Sequence, residues 1–249
     1  MLEIYSSEVL EGRTYLITGG ARRLGREMAL AIARSGGNLI IHYNSSASEA
    51  QALKELIIGL GSQASLVKAD LSSETGLRIL CEQAFSLSPV FGLINNASIF
   101  LNKSFPETTL DIWQEHLQTN LTSPFLLSRF FAEQDRSGTP RQIINIVDWR
   151  AIRPGSDHFA YTVTKAALAA MTKSLARSLA PEISINAIAL GAILPPETEE
   201  FNNKILEKVP LKRWAQIEEL QNLLLYLLAN PKSLTGQIIH LDGGRHLIY

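Results

Sequence analysis

The stretch TYLITGGARRLGREMA, from Thr14 to Ala29, reads as a strand, a glycine-rich turn and a helix. Gly19 suits the tight turn, and Gly25 suits close packing of the helix. The first N–H groups of that helix, with its positive dipole end, would face a phosphate group. The spacing is Gly-x5-Gly rather than GxGxxG, so a purely structural turn is the alternative. The stretch therefore predicts a nucleotide-binding turn that needs support from the rest of the chain.

The rest of the chain repeats this alternation of apolar strands and helices. The strand candidates are TYLIT, GNLIIHY, ASLVKADL, VFGLINNAS, RQIINIVD, EISINAIA and GQIIHLDGG. Helical patterns lie between them, among others at 73–86, 109–135, 158–180 and 215–229. Nearly all-apolar strands separated by helices are typical of a parallel sheet covered on both faces. We predict one α/β domain over residues 1–249, a doubly wound Rossmann fold whose seven-stranded parallel sheet is flanked by helices on both faces.

The composition argues against several classes of function. The net charge is −1, without a basic block, so neither a nucleic acid nor an anionic membrane is an expected partner. We identify no signal peptide, and Cys81 is the only cysteine, which fits a cytoplasmic protein. No cluster of His, Cys and carboxylates has metal-binding spacing. We therefore predict no metal site, and surface or capping roles for His116 and His158.

The end of the second strand candidate bears on the choice of cofactor. An NAD site places an Asp or Glu there for the ribose hydroxyls, whereas this strand ends in Tyr43, Asn44 and Ser45. Arg22 and Arg23 fall inside the glycine-rich turn, where they suit a 2′-phosphate. These features predict NADPH as the cofactor. In the alternative reading, Ser45 and its neighbour Ser46 only cap the next helix.

Tyr161 and Lys165 are four residues apart in a helical pattern, so their side chains share one face. A nearby ammonium lowers the pKa of a phenol, which would make Tyr161 a proton donor and acceptor near neutral pH. Asp148 stands thirteen positions before Tyr161, at the end of an apolar strand candidate. The alternatives for Asp148 are a cap or an ion pair with Arg150 or Arg153.

These motifs together resemble the short-chain dehydrogenase/reductase family over essentially the whole chain. TGGARRLG, ADLS, NNAS, Asn120, the Tyr161–Lys165 pair and LDGG stand in that family's order and approximate spacing. The resemblance implies that Tyr161 donates the proton and that Lys165 holds the nicotinamide ribose. It also implies that Asn120 positions Lys165 and a relay water. The residues placed at the cofactor are Gly19, Arg22, Arg23, Leu24, Gly25, Tyr43, Asn44, Ser45, Asp70, Leu71, Asn96, Ala97, Ser98, Tyr161, Lys165, Gly191 and Ile193.

Three departures from the family's commonest pattern narrow the resemblance. A usual Gly is Arg23, a usual Pro-Gly is Leu190–Gly191, and the usual catalytic Ser is Asp148. The first and third make the chain similar to the pteridine reductases and dihydromonapterin reductases. An acid suits a pterin because hydride adds to a ring carbon while a proton must reach a ring nitrogen. The residues predicted at the substrate are Arg23, Ser98, Phe100, Asp148 and Tyr161, and the predicted catalytic residues are Asp148, Tyr161, Lys165 and Asn120.

Three functional hypotheses follow from these residues. The leading one is an NADPH-dependent pteridine reductase that converts a dihydropterin or dihydrofolate to the tetrahydro form. The second is a carbonyl reductase for a ketoacyl or quinone substrate, which Asp148 disfavours. The third is a catalytically silent nucleotide-sensing protein, which the intact Tyr161 and Lys165 disfavour.

Two further segments carry predictions. The irregular stretch at 190–214 is predicted to be a substrate lid. The resemblance implies a homotetramer with a dimer interface built from the helical patterns at 109–135 and 158–180. It also implies that the C-terminal residues Arg245, His246 or Tyr249 reach a neighbouring subunit's active site, with a surface tail as the alternative.

Overall fold

The computed structural model describes residues 10–134, 140–194, 204–229 and 231–248. Seven parallel strands form one sheet in the order β3-β2-β1-β4-β5-β6-β7. The strands are β1 (Thr14–Ile17), β2 (Asn38–Tyr43), β3 (Ala64–Lys68), β4 (Val90–Asn95), β5 (Arg141–Asp148), β6 (Ile183–Leu190) and β7 (Ile238–Leu241). The predicted doubly wound sheet and its seven strands are confirmed.

Helices cover both faces of this sheet. They are α1 (Arg23–Arg34), α2 (Ala47–Gly59), α3 (Glu74–Leu87), α4 (Leu110–Leu117), α5 (Ser123–Glu133), α6 (Phe159–Leu179), α7 (Lys204–Glu207) and α8 (Ile217–Leu228). The pattern at 109–135 was predicted as one helix, but a π-helical turn over Gln118–Thr122 separates α4 from α5. Within the described ranges, no helix has the length and apolar character needed to cross a bilayer.

Two hydrophobic clusters explain why the strands are nearly all apolar. One lies where α1 and α8 pack on the sheet and includes Met28, Ile94 and Leu224. The other lies on the opposite face and includes Leu93, Phe131 and Ile143. Because both faces of the central strands are buried, polar residues accumulate at the strand ends.

The strand order fixes where a ligand can bind. The chain winds outward from β1 in both directions, so the order reverses between β1 and β4. At such a switch point the loops after the two strands separate and leave a crevice at the carboxyl ends of the strands. The glycine-rich turn follows β1 and NNAS includes the end of β4, so both motifs meet at this crevice.

Candidate active site

A cleft of about 860 Å³ opens at the carboxyl ends of the strands. That volume lies within the range for sites that hold a small molecule or a cofactor. Most of the predicted site residues line it. They are Gly19, Arg22, Arg23, Leu24, Gly25, Asn44, Asp70, Leu71, Asn96, Ala97, Ser98, Phe100, Asp148, Tyr161, Lys165 and Gly191. Tyr43, Ser45, Asn120 and Ile193 are outside this lining.

The glycine-rich turn brings the backbone close to the cleft. A Cβ atom on Gly25 would lie 2.2 Å from the carbonyl oxygen of Gly19, so helix α1 packs on the turn only with glycine at this position. The Asn96 amide donates to the Thr18 and Gly19 carbonyls at 2.8 and 3.1 Å. These contacts fix the turn at the start of α1, where free helix N–H groups suit a dinucleotide pyrophosphate.

Arg23 explains one departure from the family pattern. Its φ is +49°, in the left-handed region that glycine adopts without cost. An arginine at such a position carries backbone strain and gives the cleft a guanidinium group in return. Backbone strain of this kind is found most often at residues that bind a ligand.

His42 joins the turn to the neighbouring strands and was not among the predicted site residues. The Gly19 N–H donates to His42 Nδ1 at 3.0 Å, so the ring proton is on Nε2, which lies 3.1 Å from the Ala69 carbonyl oxygen. Burial lowers the pKa of His42 to about 4, so the neutral ring persists at physiological pH. A polar residue at the end of an otherwise apolar strand was the available sequence signal.

The residues expected around a 2′-phosphate are only partly brought together. Asn44 faces the cleft, whereas Tyr43 and Ser45 do not line it. The Arg22 Nε atom lies 3.8 Å from Glu49 Oε1, which directs this guanidinium toward the start of α2. Ser46 occupies the N-cap position of α2 but makes no side-chain capping bond, so the capping alternative is not borne out there.

Asn120 lies in the π-helical turn and is fully buried. Its Oδ1 accepts from the Ile99 N–H at 2.9 Å, while its Nδ2 donates to the Ile99 carbonyl and to Thr164 Oγ1. Single π turns inside α-helices are frequent at functional sites. Asn120 therefore ties the loop after β4 to the residue before Lys165, without lining the cleft itself.

Asp148 uses its two carboxylate oxygens differently. Oδ1 accepts the Arg150 backbone N–H at 2.8 Å and so caps the 3-10 turn Trp149–Ala151. Oδ2 accepts the hydroxyl of Tyr161 at 3.3 Å. Burial raises the pKa of Asp148, and this effect exceeds the opposing pull of the Arg150 hydrogen bond and charge. The capping alternative therefore holds for Oδ1, which also lies 3.9 Å from Arg150 Nη1, while Oδ2 faces Tyr161.

Tyr161 and Lys165 correct one expectation. Burial raises the pKa of Tyr161 well above 10, and the negative charge of Asp148 raises it further. The Lys165 ammonium does not lower it; Lys165 Nζ lies 5.6 Å from the centroid of the Tyr161 ring and donates to the Ile146 carbonyl at 2.8 Å. Burial lowers the pKa of Lys165 itself to about 8. The proton is therefore held on Tyr161, next to an acid that also binds protons unusually well.

Phe100 forms an aromatic stack beside the reacting groups. Its ring is parallel to that of His158 at a centroid distance of 3.9 Å, and it meets Tyr161 edge-on at 4.6 Å. His158 precedes α6 with a left-handed φ of +48°, and its Nδ1 lies 3.1 Å from the Leu101 carbonyl. His158 is buried and makes no side-chain cap bond. The predicted surface role was therefore wrong for His158, which stands at the N-cap position of α6 without a side-chain cap bond, and it was also wrong for the buried His116.

The C-terminal residues reach the cleft of their own chain. Arg245 lines the cleft, and its guanidinium lies 4.7 Å from the centroid of the Trp149 ring, as does that of Arg150. Arg153 Nε donates to the His246 carbonyl at 2.8 Å, which fixes the tail against the 3-10 turn. Tyr249 is outside the described residues.

The predicted lid at 190–214 is described only at its ends. Leu190, Gly191, Ala192 and Leu194 line the cleft on one side, and Val209 and Trp214 on the other. Ile193 is buried in the core cluster under α8 rather than in the cleft. Residues 195–203 of the lid lie outside the described residues.

Known proteins resemble this chain over nearly its full length. A family model described as enoyl-(acyl carrier protein) reductase matches residues 19–246. A 3-oxoacyl-(acyl-carrier-protein) reductase, FabG, of Aquifex aeolicus is 33% identical over 94% of this chain and 98% of its own.

Solved structures give the same result. The FolM alternative dihydrofolate reductase 1 of Brucella canis, complexed with NADP, has a TM-score of 0.89 and 34% identity, covering 97% of each chain. A blue fluorescent protein from a metagenomic library, in complex with NADPH, has a TM-score of 0.88 and 29% identity, covering 96% of this chain and 99% of its own. By sequence, fold and site geometry, this chain belongs to the short-chain dehydrogenase/reductase family of NAD(P)-dependent oxidoreductases.

Proposed function

We propose that this enzyme uses NADPH to reduce a ring C=N bond of a pterin, converting a dihydropterin or dihydrofolate to its tetrahydro form. The observation that carries the proposal is the 3.3 Å hydrogen bond between Asp148 Oδ2 and the Tyr161 hydroxyl. A serine at this position would polarise a carbonyl oxygen as a neutral donor. A carboxyl group can instead release a proton, which is what reduction at nitrogen requires.

The proton path follows from the two raised pKa values. Tyr161 alone is a reluctant acid because burial and Asp148 both disfavour its phenolate. Asp148 in its acid form supplies a proton to the phenol oxygen as the phenol proton passes to the ring nitrogen. Tyr161 is then neutral again, and the negative charge rests on Asp148, where the Arg150 backbone N–H stabilises it. Bound NADPH supplies the hydride to the ring carbon.

The surrounding residues suit this chemistry and this cofactor. Lys165, with its pKa near 8, can donate to a ribose hydroxyl while lying 5.6 Å from the centroid of the Tyr161 ring. The half-exposed Phe100 offers its ring to a flat heterocycle on the face that His158 does not cover. Arg22 and Arg23 suit the cofactor phosphates, and no carboxylate ends β2, which favours NADPH over NADH. The FolM structure supports the proposed substrate class because FolM is named a dihydrofolate reductase, and it supports the proposed cofactor because it was solved with NADP.

A second candidate is the reduction of a 3-ketoacyl thioester. The 33% identity to the Aquifex aeolicus 3-oxoacyl reductase favours it. The residue that faces Tyr161 distinguishes the two candidates. An acidic Asp148 suits nitrogen protonation, and a neutral donor suits a carbonyl group.

One assay separates the candidates. NADPH oxidation is followed with dihydrobiopterin, dihydromonapterin, dihydrofolate and an acetoacetyl thioester, each also with NADH. We expect turnover of at least one pterin with NADPH and slow turnover of the thioester. Turnover of the thioester without any pterin would reject the proposal in favour of the second candidate. Absence of cofactor oxidation with every substrate would favour a nucleotide-sensing protein.

A further inference from the structure

We infer that Arg245 forms an anion-binding subsite at the outer end of the cleft, so that the preferred pterin carries an anionic side chain, as dihydrofolate does. This inference rests on the proposed pterin reduction and names the class of substrate within it. It concerns the substituent of the ring, whereas Asp148 and Tyr161 act on the ring itself.

Arg245 differs from the nearby Arg150 in its partners. Its Nη1 donates to the Lys208 carbonyl at 2.7 Å, and its guanidinium lies over Trp149. Within the described ranges, no carboxylate oxygen lies within 4.0 Å of this guanidinium. Arg150, by comparison, is bonded to Asp157 at 2.7 Å.

The nearby acids are already engaged. Asp157 is paired with Arg150, and Asp242 accepts from the His246 and Gly244 backbone N–H groups at 2.8 and 2.9 Å. Both still attract Arg245 over longer distances, yet burial and the like charge of Arg150 outweigh them and lower its pKa. A partly desolvated guanidinium beside another cation gains most from an anion that binds in the cleft.

The position of Arg245 suits a substituent on a bound pterin. Trp149 follows Asp148 directly in the chain, and its ring lies under the guanidinium of Arg245 at 4.7 Å. Asp148, Phe100, Trp149 and Arg245 line one cleft, so a ring held at Asp148 and Phe100 leaves Trp149 and Arg245 as contacts for its side chain. Arg150 also lines the cleft and adds a second positive charge near Arg245. A pterin with a neutral hydroxyalkyl side chain would bring no negative charge to Arg245 and Arg150.

The test is a comparison of substrates and variants by steady-state kinetics at saturating NADPH. The substrates are dihydrofolate, a dihydroneopterin phosphate and the uncharged dihydrobiopterin. The variants are Arg245→Gln, Arg245→Lys and, as a matched control, Arg78→Gln. Arg78 is an exposed arginine on α3 that pairs with Glu74 and does not line the cleft, so its replacement removes the same charge at a separate place.

We expect Arg245→Gln to raise KM for the anionic pterins about tenfold with little change in kcat, and to leave KM for dihydrobiopterin unchanged. Arg245→Lys should restore part of the affinity, and Arg78→Gln should match the wild type. The size of the effect on the carboxylate and the phosphate substrates identifies the preferred anion. The wild-type KM for these substrates should also rise with salt, and that rise should be weaker in Arg245→Gln.

An equal change in KM for charged and uncharged pterins, or no change for either, would overturn the anion subsite while leaving pterin reduction intact. Absence of turnover with all three pterins in the wild type would instead reject the proposed function, and this inference with it. A general folding defect in Arg245→Gln would appear as a loss with dihydrobiopterin, so the uncharged substrate serves as the internal reference.

Discussion

One end of the cleft is formed mainly by backbone groups and the other mainly by side chains. At the cofactor end, backbone groups dominate: the Gly19 amide and carbonyl are held by His42 and Asn96, and Gly25 permits the close approach of α1. At the chemical end, side chains from distant segments meet, as Asp148 does with Tyr161. A backbone site is set by a short contiguous stretch, whereas a side-chain site depends on the register of the whole sheet. Substitutions at the chemical end should therefore mainly lower kcat, whereas substitutions at the cofactor end should mainly affect stability and NADPH binding.

The largest expected effect is at the chemical end. Tyr161→Phe removes the proposed proton donor but keeps the ring, so kcat should fall by about 10²- to 10⁴-fold. NADPH affinity, measured by fluorescence titration, should stay close to that of the wild type because the cofactor end is untouched. Tyr15→Phe, a change in the core at β1, is the control and should have little effect on kcat. Lost NADPH binding in Tyr161→Phe would contradict the separation of the two ends.

The next effect concerns the identity of the acid. Asp148→Ser should lower kcat for the pterin by about 10²-fold, because a serine cannot supply a proton. Burial raises the pKa of Asp148, so the acid form in the wild type persists above the usual range and is lost as pH rises. The wild-type rate should therefore decline with rising pH, and a pH–rate profile should show no such decline in the variant. Unchanged pterin kinetics in Asp148→Ser would mean that Asp148 only caps the turn after β5.

A smaller effect is expected at the cofactor end. Gly25→Ala would place a Cβ 2.2 Å from the Gly19 carbonyl oxygen, so the turn must shift. We expect a loss of about 1–3 kcal/mol in stability and weaker NADPH binding, measured by thermal unfolding and titration. Gly59→Ala is the matched control, because a Cβ there meets nothing within 4 Å. Equal behaviour of the two variants would show that close packing at Gly25 is not required.

The smallest effect is a pH dependence at the link between the ends. Burial lowers the pKa of His42 from 6.5 to about 4. Between these two pH values the unfolded state therefore binds a proton that the folded state does not bind. Stability is then lost as pH falls from about 6.5 toward 4, by about 1 kcal/mol at pH 5.5. His42→Gln keeps one donor and one acceptor without titrating there. Urea unfolding between pH 7 and 5 should give a flatter profile for the variant, and parallel profiles would rule out His42 as the cause.

The contrast between the ends also explains what the sequence could predict. The order of strands and helices, the glycine-rich turn and the Tyr161–Lys165 pair are local patterns, and each is confirmed as a feature of the fold. Asp148 was found from its spacing to Tyr161, and the structure places the two side chains in contact.

The features that were missed depend on contacts between distant segments. The π turn at Asn120 was hidden because α4 and α5 share one continuous helical pattern. His42 acquires its role only when β2 lies beside the turn after β1. The pairing of Phe100 with His158, 58 positions apart in the chain, has no local pattern at all. The lowered pKa expected for Tyr161 was wrong for a related reason, since its burial and its contact with Asp148 arise only in the folded chain.

The two separate contacts of the Asp148 carboxylate limit how this enzyme can be redesigned. One oxygen caps the turn after β5 and the other faces Tyr161, whereas serine has a single oxygen for both tasks. If Asp148 selects the substrate as proposed, replacing it also affects the stability of the turn that carries Trp149 and Arg150. Directed evolution toward carbonyl substrates should need a second substitution in that turn before the first becomes useful, so the route between the two activities passes through a pair of positions rather than one.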